Sequence, residues 1–424
     1  MGQPGKAVRD LFDALTQSAS NAKLVSLGKL AILPLSLHSH PKAEFMLMNR
    51  ALERGLVEFG ELESSDVNRI RVTNRAKIPV LVLPGMVLEG AWQDRTATRP
   101  FVIPAGYSGP IPVFCVERRR WGGGRRFSRI AGSLDSLMLS KFKAMKAKQE
   151  EVWEGIHRRM LRSQIASSTE SYRDLLSGRE HRMLAERLAE RVRLPREANG
   201  FVLFLDGKLI ALELLPTHEA AAQTFTERLK ATAVNLVDLE TLHELNRGGA
   251  AKKARETDGR AGELRAKLSE LLSRTSKGEQ ELEESEVGNL TKLRSERGDY
   301  AEVVVWQGMP LYLYATSKEA VELEEDLNRR YSYLLERYAI DLERHRQNLI
   351  QAIEELSILS DRSRDVLTRE ELIEIIGAME RLHSALRRLE RRSEAAGKPI
   401  HPERLAEVRR RVIERLVEQV EQVA

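Results

Sequence analysis

The stretch from Ile78 to Trp121 restricts the fold more than any other. It reads IPVLVLPGMVLEGAWQDRTATRPFVIPAGYSGPIPVFCVERRRW and holds six prolines. Proline removes a ladder donor and fixes φ, so a segment this rich in it cannot be a long helix or a long central strand. Three short apolar runs remain: Ile78 to Leu83, Phe101 to Ile103, and Ile111 to Val116. Short strands punctuated by Pro and Gly predict an antiparallel sandwich or a distorted barrel, not a parallel sheet with alternating helices.

The flanking sequence extends the same scheme. Val8, Leu11, Phe12 and Leu15 have helical spacing, which predicts a short amphipathic helix within residues 1–23. Leu24 to Leu37 reads as a strand broken at Pro34, and Glu44 to Gly55 as a helix closed by its glycine. Val57 to Phe59 and Val67 to Thr73 alternate like half-buried strands. Phe201 to Leu215 predicts a hairpin turning at Asp206-Gly207, and Tyr300 to Tyr314 a second one at Gln307-Gly308.

Between these lie helical patterns over 133–194 and Glu219 to Val237, and a polar, glycine-broken stretch, 240–286, with one helical run around Leu264 to Leu272, expected to be a mobile insertion. From 317 to 424 the β signal is gone. Leu323, Leu327 and Leu334, then Leu372, Ile376 and Met379, then Val408, Val412 and Leu416 have helical spacing. The expected fold is α+β: a β-rich core over 24–316 with helical insertions, followed by an all-α C-terminal helical bundle.

Composition narrows the function classes. The net charge is +5 and charged residues make up 31%, so an anionic partner is permitted without being required. One cysteine rules out an internal disulfide and a cysteine-based zinc site. No apolar run approaches the ~20 residues that cross a bilayer, and the first residues lack a signal-peptide core. The expectation is a cytoplasmic protein with no membrane partner. No cofactor and no metal site is indicated; His38 and His40 lack a third ligand.

The polar residues of the opening stretch carry the candidate chemistry. Gln93, Asp94, Arg95 and Glu117 all fall at strand ends beside turns, where side chains can converge on a pocket. Arg95 offers a fork for phosphate or carboxylate, and Gln93 an amide for a hydroxyl edge. Asp94 and Glu117 are the candidate bases. The same four also suit a buried network in which Arg95 pairs with Glu117 or Asp94 and fixes the sheet corner. Cys115, on an apolar strand with no histidine nearby, reads as a small buried hydrophobe. The loop RRRWGGGRRFSR, 118–129, sets Arg118, Arg120, Arg125 and Arg126 around Trp121. Its glycines would let the backbone approach a polyanion while the arginines grip phosphates and Trp121 stacks.

The block Gly85, Leu88, Gly90, Ala91, Gln93, Asp94 and Arg95, then Cys115-Val116-Glu117, then Arg120-Trp121, resembles a known family. It is the ARG-and-rhodanese-phosphatase-superfamily-associated protein domain, where ARG denotes ADP-ribosylglycohydrolase. Ala51 to Glu58 and Gly207 to Leu214 are similar to its helix-to-strand entry and its second β unit. The resemblance covers residues 25 to 316. Met86 departs from it where the family usually has an acid, and Trp92 where it usually has Lys. What it implies is a nucleotide-derived or ADP-ribosyl ligand.

Three functional readings follow. The first is a ligand-binding or regulatory protein for a phosphate-bearing, nucleotide-type molecule, assembled into an oligomer, or onto a partner protein, through its C-terminal helices. The second is a hydrolase of ADP-ribosyl or phosphate groups using Asp94 or Glu117. The third is a nucleic-acid-binding protein using the basic loop.

Overall fold

A computed structural model describes residues 6–37, 44–62, 67–120, 122–145, 148–163, 165, 167–236 and 258–329. The chain begins with α1 (Lys6–Asn21), β1 (Val25–Leu27), β2 (Leu30–Leu35), β3 (Met46–Leu47) and α2 (Met48–Glu53). Then come β4 (Val57–Glu61), β5 (Arg69–Asn74), β6 (Val80–Val82), β7 (Met86–Gly90), β8 (Arg95–Ala97), β9 (Phe101–Ile103), β10 (Ser108–Cys115) and β11 (Phe127–Ser133). Four helices follow: α3 (Ser136–Met145), α4 (Gln149–Ser163), α5 (Tyr172–Ser177) and α6 (Arg179–Arg191). After β12 (Gly200–Leu205), β13 (Lys208–Leu214), α7 (His218–Leu236) and α8 (Asp258–Ser276), the chain closes β14 (Glu279–Glu283), β15 (Asn289–Arg294), β16 (Tyr300–Trp306) and β17 (Met309–Thr316). Residues 318–329 are helical.

These strands form three sheets. The largest has eight antiparallel strands in the order β1-β2-β12-β13-β17-β16-β15-β14. Both of its faces are covered, which is why GFVLFL in β12 is apolar throughout. Phe201, Leu203 and Leu205 join the main core, while Val202 and Phe204 face a second cluster with Phe12 and Leu15 of α1 and Leu264, Leu268 and Leu272 of α8. A three-stranded sheet pairs β3 parallel to β6 and β6 antiparallel to β9.

The six-stranded sheet, β11-β7-β8-β10-β5-β4, carries the candidate residues. It curls into a half-barrel until its edges touch: Gly60 of β4 bridges Arg126 beside β11, and the Glu61 N–H donates to the Arg125 carbonyl at 2.9 Å. The mixed α+β fold with mostly antiparallel sheets therefore stands, although neither a simple sandwich nor a closed barrel describes it. No helix among the described residues is long and apolar enough to cross a membrane.

Both expected hairpins form, with positive φ at Asp206, Gly207, Gln307 and Gly308, as type I′ turns require. Other expectations are corrected. The break in the first strand falls at Gly28, not at Pro34. Pro34 sits inside β2 paired with Phe201, and it is tolerated because β1 reaches only to Ile32 on the other side. The last residues of the expected basic loop, Phe127 to Arg129, begin strand β11, and β7 was unforeseen. Within the stretch expected to be a mobile insertion, the helical run expected around Leu264 to Leu272 forms as Asp258–Ser276, but it packs on the core and buries Ala261, Leu264, Leu268, Leu271 and Leu272. Of the expected C-terminal bundle, 330–424 lies outside the described residues. Residues 318–329 pack on the core, where Ala320 and Leu323 are buried.

Candidate functional site

The half-barrel gathers the sequence-selected residues at one corner. β8 is the shared strand: Arg95 pairs with Leu88 of β7 on one side and with Cys115 of β10 on the other. The tight turn before it holds Ala91 at φ 49°. Beyond β10, the Val116 N–H donates to the Asp94 carbonyl at 2.9 Å, and Glu117 bridges Ser171. Gln93, Asp94, Arg95 and Glu117 thus come within reach of one another, as their positions predicted.

They do not line an open hollow. All four are buried, with at most 1% of their surface exposed. They sort into two hydrogen-bonded groups. In the first, Arg120 forks onto both oxygens of Glu117, with Nε at 2.9 and 3.0 Å and Nη2 at 2.7 Å from Oε2. Its Nη2 also reaches Asp94 Oδ1 at 3.1 Å, and its Nη1 donates to the Ala91 carbonyl at 2.7 Å. The second Asp94 oxygen accepts from Ser171 Oγ at 2.8 Å, and the Asp94 N–H donates to Glu117 Oε2 at 3.0 Å. Burial is the main cause that raises the Asp94 pKa, and the neighbouring Glu117 charge adds to it.

In the second group Arg95 Nη1 donates to Gln93 Oε1 at 2.7 Å and to Cys115 Sγ, while Nη2 lies 3.6 Å from Glu61. Arg120, not Arg95, is therefore the partner of the two acids, because the Arg95 side chain runs to the opposite side of its strand. Burial pushes the Cys115 thiol up to about 11 against the weaker opposing effect of Arg95, which leaves it protonated and unreactive at neutral pH. With Asp94 and Glu117 saturated and without access to solvent, neither reaches a substrate. They position Arg120, which ties the turn to the segment after β10.

The basic loop serves two different surfaces. Gly123, at φ 140°, lets the loop press against its own protein: a Cβ there would lie 2.6 Å from the Ala91 carbonyl. That close approach, not a polyanion, explains this glycine. Trp121 lies outside the described residues, as do His38 and His40. Arg125 and Arg126 are exposed on the half-barrel; Arg125 lies over the Trp92 ring at 6.0 Å, and Arg126 pairs with Glu58 at 2.9 Å. Met86, at the position where an acid was expected, is core.

Arg118 faces elsewhere. Its guanidinium lies 5.9 Å from the Trp153 ring of α4, and its side chain is 51% exposed. It borders a cleft of ≈ 490 Å³ lined by Lys141, Glu150, Glu151, Trp153, Arg158 and Asn328 among others. The buried corner is tied to two residues of the cleft lining: Gln93 Nε2 donates to the Arg118 carbonyl at 3.4 Å, and Trp153 Nε1 to the Glu117 carbonyl at 3.3 Å. Beside it, Glu170 is held at φ 51° with Arg119 at 2.6 Å and His157 at 3.7 Å. Such a conformation is costly for a non-glycine and concentrates at functional sites.

Sequence reading missed Trp153, Lys141, Arg158, His157 and Glu170. They sit in amphipathic helices and a connecting loop with no motif, and only the fold brings them to Arg118. Among the described residues no group of three or more His, Cys, Asp or Glu is arranged to hold a metal ion.

A family model described as the ARG and Rhodanese-Phosphatase-superfamily-associated Protein domain matches residues 19–316. No curated protein and no solved structure matches the chain.

Proposed function

The chain belongs to the ARG and Rhodanese-Phosphatase-superfamily-associated Protein domain family, and from that premise we propose that it binds a phosphate-bearing, nucleotide-type ligand in the cleft beside Arg118. One observation carries the reading: an exposed guanidinium stacked near Trp153 at the mouth of a cleft that also presents Lys141 and Arg158. Arg118 and Lys141 suit phosphate oxygens, and Trp153 offers a ring to a base. Glu150 and Glu151 suit ribose hydroxyls, the partners that acids take in dinucleotide sites. The association in the family's name supports the same class, since ADP-ribosyl and phosphate groups are what ADP-ribosylglycohydrolases and phosphatases handle.

In this reading Asp94, Glu117 and Arg120 are the rigid footing of the cleft and touch no ligand. A hydrolytic alternative would have to draw its base from the cleft rim, where His157 and Glu170 stand, and not from Asp94 or Glu117. Assembly through the C-terminal helices is part of the proposal, supported by their apolar spacing. Light scattering of the full chain against one cut after residue 331 tests it, with equal subunit numbers removing it.

Calorimetric titration with ADP-ribose, ADP and AMP tests the cleft. Saturable binding is expected, weakened about 10- to 100-fold by Arg118→Ala, the range for losing a charged hydrogen bond. Trp153→Ala is expected to weaken it too, while Arg126→Ala leaves it unchanged. No heat with any of the three, or equal affinity in the Arg118 variant, rejects the site.

A further inference from the structure

The outer face of the half-barrel is a second surface, independent of the cleft. Its outward positions follow from the register: Arg71 of β5 lies opposite Gly60 of β4, and Gly60 bridges Arg126 on its other side. Arg71 and Arg126 therefore lie two inter-strand spacings, about 10 Å, apart. Pro110 continues the row beyond Arg71. Arg71, Arg125 and Arg126 are all exposed.

The acids on this face are already neutralised. Glu58 accepts from Arg75 at 2.8 Å and from Arg126 at 2.9 Å. Glu89 is bracketed in the same way by Arg129 and Arg173, each at 2.7 Å. Two arginines on each carboxylate leave a positive excess, and among the described residues no carboxylate pairs with Arg71 or Arg125. Among the described residues the aromatic here is Trp92, half-buried, with the Arg125 guanidinium 6.0 Å from its ring.

We propose that this face binds single-stranded nucleic acid, with phosphates on Arg71 and Arg126 and a base stacked at Trp92 and Arg125. Arginine forks onto phosphate while an aromatic ring takes a base of any sequence. A duplex, with its bases paired and stacked inside, would leave Trp92 without a base. An acidic peptide or an anionic membrane meets the charge but gives the ring nothing to stack on.

Fluorescence anisotropy of a labelled oligothymidylate of about twenty nucleotides with the full chain tests the proposal. Binding at low salt is expected, weakening as salt rises with a slope of about −0.7 for each phosphate contact. The combined variant Arg71→Gln, Arg125→Gln, Arg126→Gln should lose at least tenfold in affinity and flatten that slope by about 1.4, the share of two phosphate contacts. Because Arg126 also pairs with Glu58, the double variant at Arg71 and Arg125 serves as a second reading and should move the same way. Unchanged thermal melting of both variants confirms that they fold. Excess ADP-ribose should not compete. Absent binding, affinity unchanged in both variants, or tighter binding of duplex DNA, polyglutamate or anionic vesicles than of the oligonucleotide overturns the proposal.

Discussion

Arg120 is 27% exposed, yet the Asp94 and Glu117 side chains that it bonds are not exposed at all. Removing it would leave Glu117 buried without a counter-charge and Asp94 with only Arg173 at 3.9 Å, a mechanism that costs about 3 to 5 kcal/mol. Arg120→Ala should lower the unfolding free energy by about that amount in urea, and Arg120→Lys by less, because an ammonium keeps the charge but cannot fork. A loss below 1 kcal/mol for the alanine variant would show that Arg120 is not the keystone of the corner. A second residue-scale prediction concerns acid. Burial alone would raise the Asp135 pKa, but the charge and hydrogen bonds of Arg159, with a bond from Asn235, hold it down to about 2 from 3.8. The folded value is the lower one, so the stabilisation is complete above the unfolded value and is lost as pH falls from about 4 towards 2. Unfolding free energy measured across that window should fall less steeply for Asp135→Asn than for the parent; equal slopes would remove the assignment.

Helix α8 shows what local sequence hides at the scale of an element. Its surroundings are polar and broken by glycine, so 240–286 reads as insertion, yet Leu264, Leu268 and Leu272 recur at i, i+4 and close one face of the largest sheet. Leu268→Ala should therefore cost about 2 to 5 kcal/mol in chemical denaturation. An exposed insertion would give a change within about 0.5 kcal/mol, and that outcome would undo the packing. The hairpins at Asp206-Gly207 and Gln307-Gly308 were legible because their turns and their apolar alternation agree. β7, β8 and β11 were not legible. RTA and FSRIAGS carry no alternation, and they are strands because neighbours across the curled sheet supply their hydrogen bonds. β14, EQELE, is an edge strand whose charges protect an open ladder, so it resembles a loop in one dimension. The candidate corner divided in the same way. The sequence brought Gln93, Asp94, Arg95 and Glu117 together correctly. It could not reveal that they face inward, because side-chain direction at a strand end depends on the partner strands. The cleft residues on α3 and α4 were invisible for want of any motif.

At the scale of the molecule, the family match ends at 316 but the fold continues. Arg159 of α4 is fully enclosed and forks onto two acids, Asp135 at 2.7 Å and Glu324 at 2.7 Å, the latter on the helical segment 318–329. Asn328, on the same segment, lines the cleft and accepts from Arg162 at 3.4 Å. The compact unit accordingly runs to Tyr331. A chain cut after Thr316 would keep every described strand but strip Arg159 of one of its two carboxylates and remove the buried Ala320 and Leu323 from the core they pack on. Breaking a buried ion pair by removing one partner costs about 3 to 5 kcal/mol, whereas replacing the whole set by apolar groups of similar volume is close to neutral. The chain cut after Thr316 should therefore unfold at lower urea than one cut after Tyr331, by a margin of that order, and Glu324→Ala in the longer chain should reproduce most of the loss. The combined variant Arg159→Met, Asp135→Asn, Glu324→Met should recover part of it. Equal midpoints for the two truncated chains would mean that the segment after β17 only rests on the core. The cleft would then have to bind its ligand without Asn328, and the titration with ADP-ribose, repeated on the shorter chain, would read that difference directly.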